Sequence, residues 1–174
     1  MEPGNRQFIW ILYENIEEDS DKFNEVFTDV FGTRHLTIVP RGKMQPQVWA
    51  KKQESVDLSK PFAELLQETT DPSISATRKY PAGRSIFYDG RIILVGDAFC
   101  LFCPHVGSST NQAAKHALGL AEVFSGKYPL GEWESQSLAY ATKTSALSNF
   151  FGEYCFTGKV PESLATIIKE DKKF

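Results

Sequence analysis

Residues 91–121 read RIILVGDAFCLFCPHVGSSTNQAAKHALGLA, and this stretch decides the fold. Ile92, Ile93, Leu94 and Val95 form a β-rich run that ends at Gly96. Asp97 therefore falls at the carboxyl end of a strand, where α/β sheets bind ligands. Gly96 allows another group to approach the backbone closely. Pro104, His105, Val106 and Gly107 then lead through Ser108, Ser109, Thr110 and Asn111 into an alanine-rich helix. Small residues at a helix start leave the first-turn N–H groups open to an anion or a polar ring edge. A carboxylate that accepts hydroxyl hydrogen bonds thus stands beside a helix start that receives negative charge. The same residues also suit a tight turn and an N-cap with no ligand, and spacing alone does not choose between the two.

Upstream, Ile86-Phe87-Tyr88, Asp89-Gly90 and the run from Arg91 form a hairpin signature. Downstream, Ala113, Ala114, Ala117, Leu118, Ala121 and Phe124 set a helix over 110–124 whose alanine face is expected to pack closely. Phe8 to Tyr13 is continuously apolar and predicts a strand buried on both faces. Ser20 caps a helix carrying Phe23, Val26, Phe27 and Val30, stopped by Gly32. His35 to Val39 predicts a short strand, and Met44 to Leu58 is ambiguous. Ser59 and Pro61 open a helix with Phe62, Leu65 and Leu66. Further helices are expected over about 132–151 and after Pro161, the last carrying Leu164, Ile167 and Ile168.

The 174 residues carry 19 Lys plus Arg against 22 Asp plus Glu, a net −3 that argues against a nucleic-acid binder. No unbroken apolar run exceeds six residues, so no membrane span is expected. Three cysteines are too few for a disulfide framework, and no signal peptide is readable; the cytoplasm is the expected compartment. Cys100 and Cys103 form a lone C-x-x-C without the four ligands zinc needs, so no metal is expected and both read as buried or half-buried thiols. His105 lies where it reaches a substrate, and imidazole is the usual acid or base at neutral pH; a structural hydrogen bond suits it equally. His35 and His116 read as structural, and Glu17, Glu18, Asp19 and Asp21 as a solvated cluster at a helix start.

Gly96-Asp97-Ala98, then Pro104-His105-Val106-Gly107, then Ala113-Ala114 and Ala117 resemble the second flavin-contacting motif of class A FAD-dependent aromatic monooxygenases, the para-hydroxybenzoate hydroxylase type. The Pro-His-x-Gly form is similar to the branch that contains 2,6-dihydroxypyridine hydroxylase. The resemblance covers roughly residues 8–126 and implies the C-terminal portion of such a protein. It implies an α/β fold of an α+β remnant kind: part of a substrate-domain sheet, then the flavin-contacting strand, loop and helix, without the N-terminal Rossmann glycine motif. It implies that Gly96 and Asp97 meet a flavin hydroxyl, that Pro104 to Gly107 lie beside the ring, and that Ser108, Ser109, Thr110 and Asn111 offer helix-start donors. His105 is the candidate catalytic residue. FAD, held weakly or with the help of a second chain, and NAD(P)H as reductant follow from the same resemblance.

Departures from the family pattern are specific. No Gly-x-Gly-x-x-Gly occurs in the chain, so the diphosphate has no cradle. Phe99, Leu101 and Phe102 are bulky, Cys103 replaces an arginine common in the branch, and Ser109 replaces a glycine. His116 stands where the family has the aspartate of an Asp-Ala pair. One unit over 1–174 is expected, with a partial substrate sheet and helices over 1–89, the flavin-contacting segment over 90–126 and helices over 127–174. The function expected is a truncated family member oxygenating a small aromatic or polyketide-like secondary metabolite. The alternatives are a cofactor-free isomerase or cyclase, and a non-catalytic binding module. An exposed patch around Ile92, Leu94, Phe99 and Ala114 is expected to meet a partner chain carrying the nucleotide-binding lobe, or a second copy.

Overall fold

The computed structural model describes residue 4 and residues 9–161. It divides into two compact units, Met1–Ala76 and Thr77–Phe174.

The first unit holds helices α1 (Asp21–Phe27), α2 (Pro46–Ser55) and α3 (Lys60–Glu68) and the two-residue strands β1 (Ile38–Val39) and β2 (Ile74–Ser75). Ser20 caps α1 as expected, its hydroxyl accepting the Phe23 N–H at 3.1 Å. Phe23 and Phe27 stack at 4.4 Å and bury with Val39 as the core. The helix ends at Phe27, before Gly32, because Asp29 organises the next residues into a turn. Its carboxylate accepts the N–H groups of Phe31 and Thr33, each at 2.9 Å, and lies 3.0 Å from the His35 imidazole. The His35 hydrogen bond holds the Asp29 carboxyl below the usual aspartate range. Strands β1 and β2 pair antiparallel, Ile38 with Ser75 and Val39 with Ile74.

The apolar run near the start is corrected. Residues 9–13 form no strand, and Ile9 and Ile11 are 76% and 69% exposed. A strand buried on both faces needs a neighbour on each edge, and none of the described strands pairs with this segment. Trp10 is held instead by side chains: Trp10 and Trp49 both donate to Thr69, to its hydroxyl and its carbonyl.

The second unit begins with the expected hairpin, β3 (Ile86–Phe87) against β4 (Ile92–Ile93), with Ile86 opposite Ile93. Tyr88, Asp89 and Gly90 all adopt positive φ, so the turn takes four residues where Asp89-Gly90 alone was expected to make it. Two 3₁₀ turns, Gly96–Ala98 and Pro104–Val106, lead to helices α4 (Ser109–Phe124) and α5 (Leu130–Thr157). Phe99, Cys100, Phe102 and Ala141 form the core of this unit. Phe99 and Phe102, two of the bulky departures from the family pattern, are therefore packing anchors, whereas Leu101 is half-buried. Helix α5 buries Trp133, Ser137, Ala141, Thr144, Ser148 and Gly152, a mostly small stripe at helical spacing that lets α4 and the 104–106 turn come close. The helix expected after Pro161 lies outside the described residues.

Candidate functional site

Gly96 sits at φ +57°, a left-handed conformation that glycine adopts at little cost, and opens the turn that carries Asp97. The turn is buried at Gly96, Phe99 and Cys100 and exposed at Asp97 and Ala98. Two side chains of α4 hold it. The Gly96 N–H donates to His116 Nδ1 at 3.0 Å. Gln112 Nε2 donates to the Gly96 carbonyl at 3.0 Å and to the Cys100 carbonyl at 2.8 Å. Both residues have 0% exposure.

This reverses the expected face of α4. Ala113, Ala114 and Ala117 are exposed, while Gln112 and His116 are buried. The polar side chains go inward because the turn offers them backbone partners, and a buried backbone group left unpaired is costly. His116 is not a bland helical residue. Its Nδ1 accepts a backbone proton, so the neutral ring carries its own proton on Nε2. Burial pushes its pKa down, and the Lys115 ammonium next to it pushes in the same direction. The imidazole stands edge-on between Phe99 and Trp133, at 5.3 and 5.4 Å. His116 Nε2 and Gln112 Oε1 have no hydrogen-bond partner among the described residues. Each such group costs about 1–3 kcal/mol, which the clamp on the turn has to offset.

The second loop completes the surface. Gly107, at φ +61°, ends the 104–106 turn, and its N–H donates to the Pro104 carbonyl at 3.1 Å. The Ser108 hydroxyl donates back to the Val106 carbonyl at 3.3 Å and does not cap α4. Among the described residues no side-chain cap on that helix start is seen, which leaves its first N–H groups without a capping partner. Pro104, Gly107, Thr110 and Asn111 are exposed, and Ser108 and Ser109 are half-buried.

His105 turns the other way. A Cβ on Gly152 would lie 2.5 Å from His105 Cδ2, so the ring rests directly on the α5 backbone. It also meets Phe156 edge-on at 6.0 Å. The structure thus gives the candidate catalytic histidine a packing role.

The expected apolar patch is partly redrawn. Ile92 is 48% exposed and Ala114 is exposed, but Phe99 is buried and Leu94 half-buried. Val95, Leu118 and Phe124, outside the expected patch, are also among the exposed apolar residues of this unit.

A family model described as FAD binding domain-like matches residues 1–78. The chain is 31% identical over 153 residues to the 2,6-dihydroxypyridine 3-monooxygenase of Paenarthrobacter nicotinovorans, covering 82% of this chain and 37% of that protein. The solved structure of 2,6-dihydroxypyridine-3-hydroxylase from Arthrobacter nicotinovorans superposes with a TM-score of 0.63 at 28% identity, over 76% of this chain and 36% of that one. The chain resembles a fragment of an FAD-dependent monooxygenase. It spans a little over a third of the length of the relatives it matches. The matched family segment falls on the first unit, whereas Asp97 and the α4 start lie in the second.

FAD is the cofactor of this monooxygenase family, and the residues of the second unit fit one end of it. Asp97 presents a carboxylate, α4 presents an uncapped start, and no atom lies within 4 Å of where a Cβ on Gly107 would point. The diphosphate end has no glycine-rich turn to receive it. Among the described residues no cluster suits a metal ion, and no helix is long and apolar enough to cross a membrane.

Proposed function

We propose that this chain supplies the flavin-facing turn and helix of a monooxygenase acting on a small aromatic molecule. The observation that carries the reading is an exposed Asp97 on a turn clamped to α4, whose start is uncapped. Asp97 accepts a hydrogen bond from a flavin hydroxyl. Pro104 to Gly107 stand at the side of the ring, and the N–H groups of Ser108 to Asn111 face its electron-rich edge, where the helix dipole favours negative charge. Bound FAD supplies the redox chemistry. In the overall reaction a C–H bond becomes C–OH, NAD(P)H gives up a hydride, and the second oxygen atom of O₂ leaves as water. His105 holds the 104–106 turn against α5, and its imidazole is the candidate acid or base of that loop.

The residues of this chain leave the diphosphate to be held elsewhere, and the cytoplasm, where NAD(P)H is at hand, is the compartment that suits the reaction. The cofactor-free isomerase and the non-catalytic module remain the rival readings. Flavin titration of the purified chain separates them. Quenching of flavin fluorescence that Asp97→Asn weakens several-fold supports the flavin reading. Binding indifferent to Asp97→Asn, or no binding, removes it.

A further inference from the structure

We propose that Gln112 and His116 are positioning residues for Asp97, holding both peptide planes that flank Gly96. The inference rests on the reading that Asp97 meets a flavin hydroxyl. The Gly96 N–H belongs to the peptide joining Val95 to Gly96, and its carbonyl belongs to the peptide joining Gly96 to Asp97. His116 Nδ1 takes the first at 3.0 Å, and Gln112 Nε2 takes the second at 3.0 Å. A glycine in the left-handed region has no side chain to oppose rotation of either plane. The Gly96 carbonyl also accepts the backbone N–H groups of Phe99 and Cys100 at 3.0 and 3.1 Å, so Gln112 reinforces a plane the turn already holds, while His116 holds the plane on the Val95 side, which sets where Asp97, one residue on, begins.

Three features make the pair more than ordinary packing. Both side chains are fully buried, so neither meets a ligand and each acts through the backbone. Gln112 also grips the Cys100 carbonyl, so one amide spans the turn from Gly96 to Cys100. The tautomer of His116 is set by the task, because only an unprotonated Nδ1 accepts the Gly96 N–H. The ring is kept in place by Phe99 on the turn and Trp133 on α5, whose indole N–H donates to the His116 carbonyl at 3.3 Å.

The test uses the full chain, with hydrogen exchange at the Gly96 amide and FAD titration to about 1 mM, the range of weak binding. His116→Asn keeps an acceptor near the place of Nδ1, and His116→Phe removes it. We expect His116→Phe to lose Gly96 protection and to weaken FAD at least about tenfold, with His116→Asn within about threefold of the parent. Gln112→Glu, which replaces the donor by an acceptor, follows His116→Phe. Circular dichroism confirms that each variant is folded; if His116→Phe is not, Gln112→Glu and His116→Asn decide. Unchanged Gly96 protection in the folded clamp variants overturns the proposal. So does lost protection with unchanged FAD affinity while Asp97→Asn still weakens FAD. If Asp97→Asn has no effect on FAD, or the parent does not bind it, the flavin reading itself has failed and the positioning role falls with it.

Discussion

His116 Nδ1 accepts the Gly96 N–H at 3.0 Å across twenty residues of sequence, and this bond ties the Asp97 turn to helix α4. The acceptor exists only while the imidazole is neutral. Protonation would set two donors face to face inside a closed site.

That bond makes stability depend on pH. Burial holds the His116 pKa below its ordinary value near 6.5, with Lys115 adding to the effect. The unfolded chain therefore binds more protons than the folded one between the depressed value and about 6.5. The stabilisation is complete above that window and is lost as pH falls through it, at a slope of up to about 1.4 kcal/mol per pH unit for one site. The exposed Asp97 carboxylate and the buried Cys100 thiol are the titratable groups on the turn it faces, and Trp133 on α5 carries no charge. Urea melts from pH 7.5 to 5 should show the decline in the parent and a flatter profile in His116→Asn. Equal slopes would place the titration elsewhere.

Helices α4 and α5 are in tight contact at Gly119. A Cβ there would lie 2.7 Å from Trp133 Cδ1 and 3.0 Å from the Tyr128 hydroxyl oxygen. Trp133 is 2% exposed and has little room to shift. Alanine gains about 1 kcal/mol of helix propensity over glycine, but overpacking a rigid contact costs about 1–3 kcal/mol. We expect Gly119→Ala to lower stability by about 1–2 kcal/mol in denaturant melts. A gain in stability would mean that the helices are less tightly apposed.

What the sequence disclosed and what it hid follow from the range of the forces involved. Local chemistry was legible: the Ser20 cap, the hairpin at Asp89-Gly90 and helix α4, expected over 110–124 and found over 109–124. The buried side of α4 was misread because apolar periodicity pointed to the alanines. Gln112, His116 and Gly119 share one stripe at i, i+4 and i+7, which was the available signal, but the burial of Gln112 and His116 depends on backbone partners in a distant turn. Residues 9–13 failed for a related reason, since an apolar run becomes a strand only where an edge is offered. Asp97 and the loop before α4 were visible because glycine, proline and small polar residues mark a turn and a helix start locally.

The packing role of His105 has a direct check. Gly152→Ala places a methyl 2.5–2.6 Å from the imidazole, so the ring and the 104–106 turn must move. We expect a loss of about 1 kcal/mol from Gly152→Ala, recovered in the double variant with His105→Ala, giving a coupling of about 1 kcal/mol. Additive losses would show that the ring does not rest on α5 in solution.

The last prediction concerns which part of the cofactor this chain recognises. On the proposed reading, Asp97, the 104–107 loop and the α4 start address the flavin ring and its hydroxylated chain. Diphosphate recognition needs a run of backbone N–H groups on a glycine-rich turn, and the sequence has no such motif. The adenosine diphosphate portion should therefore add little affinity. Riboflavin and FAD should bind this chain within about threefold of each other, both weakly, and Asp97→Asn should reduce both alike. Calorimetry or fluorescence quenching with the two ligands side by side reads this directly. FAD binding more than about tenfold tighter than riboflavin would reveal a diphosphate cradle built without glycines.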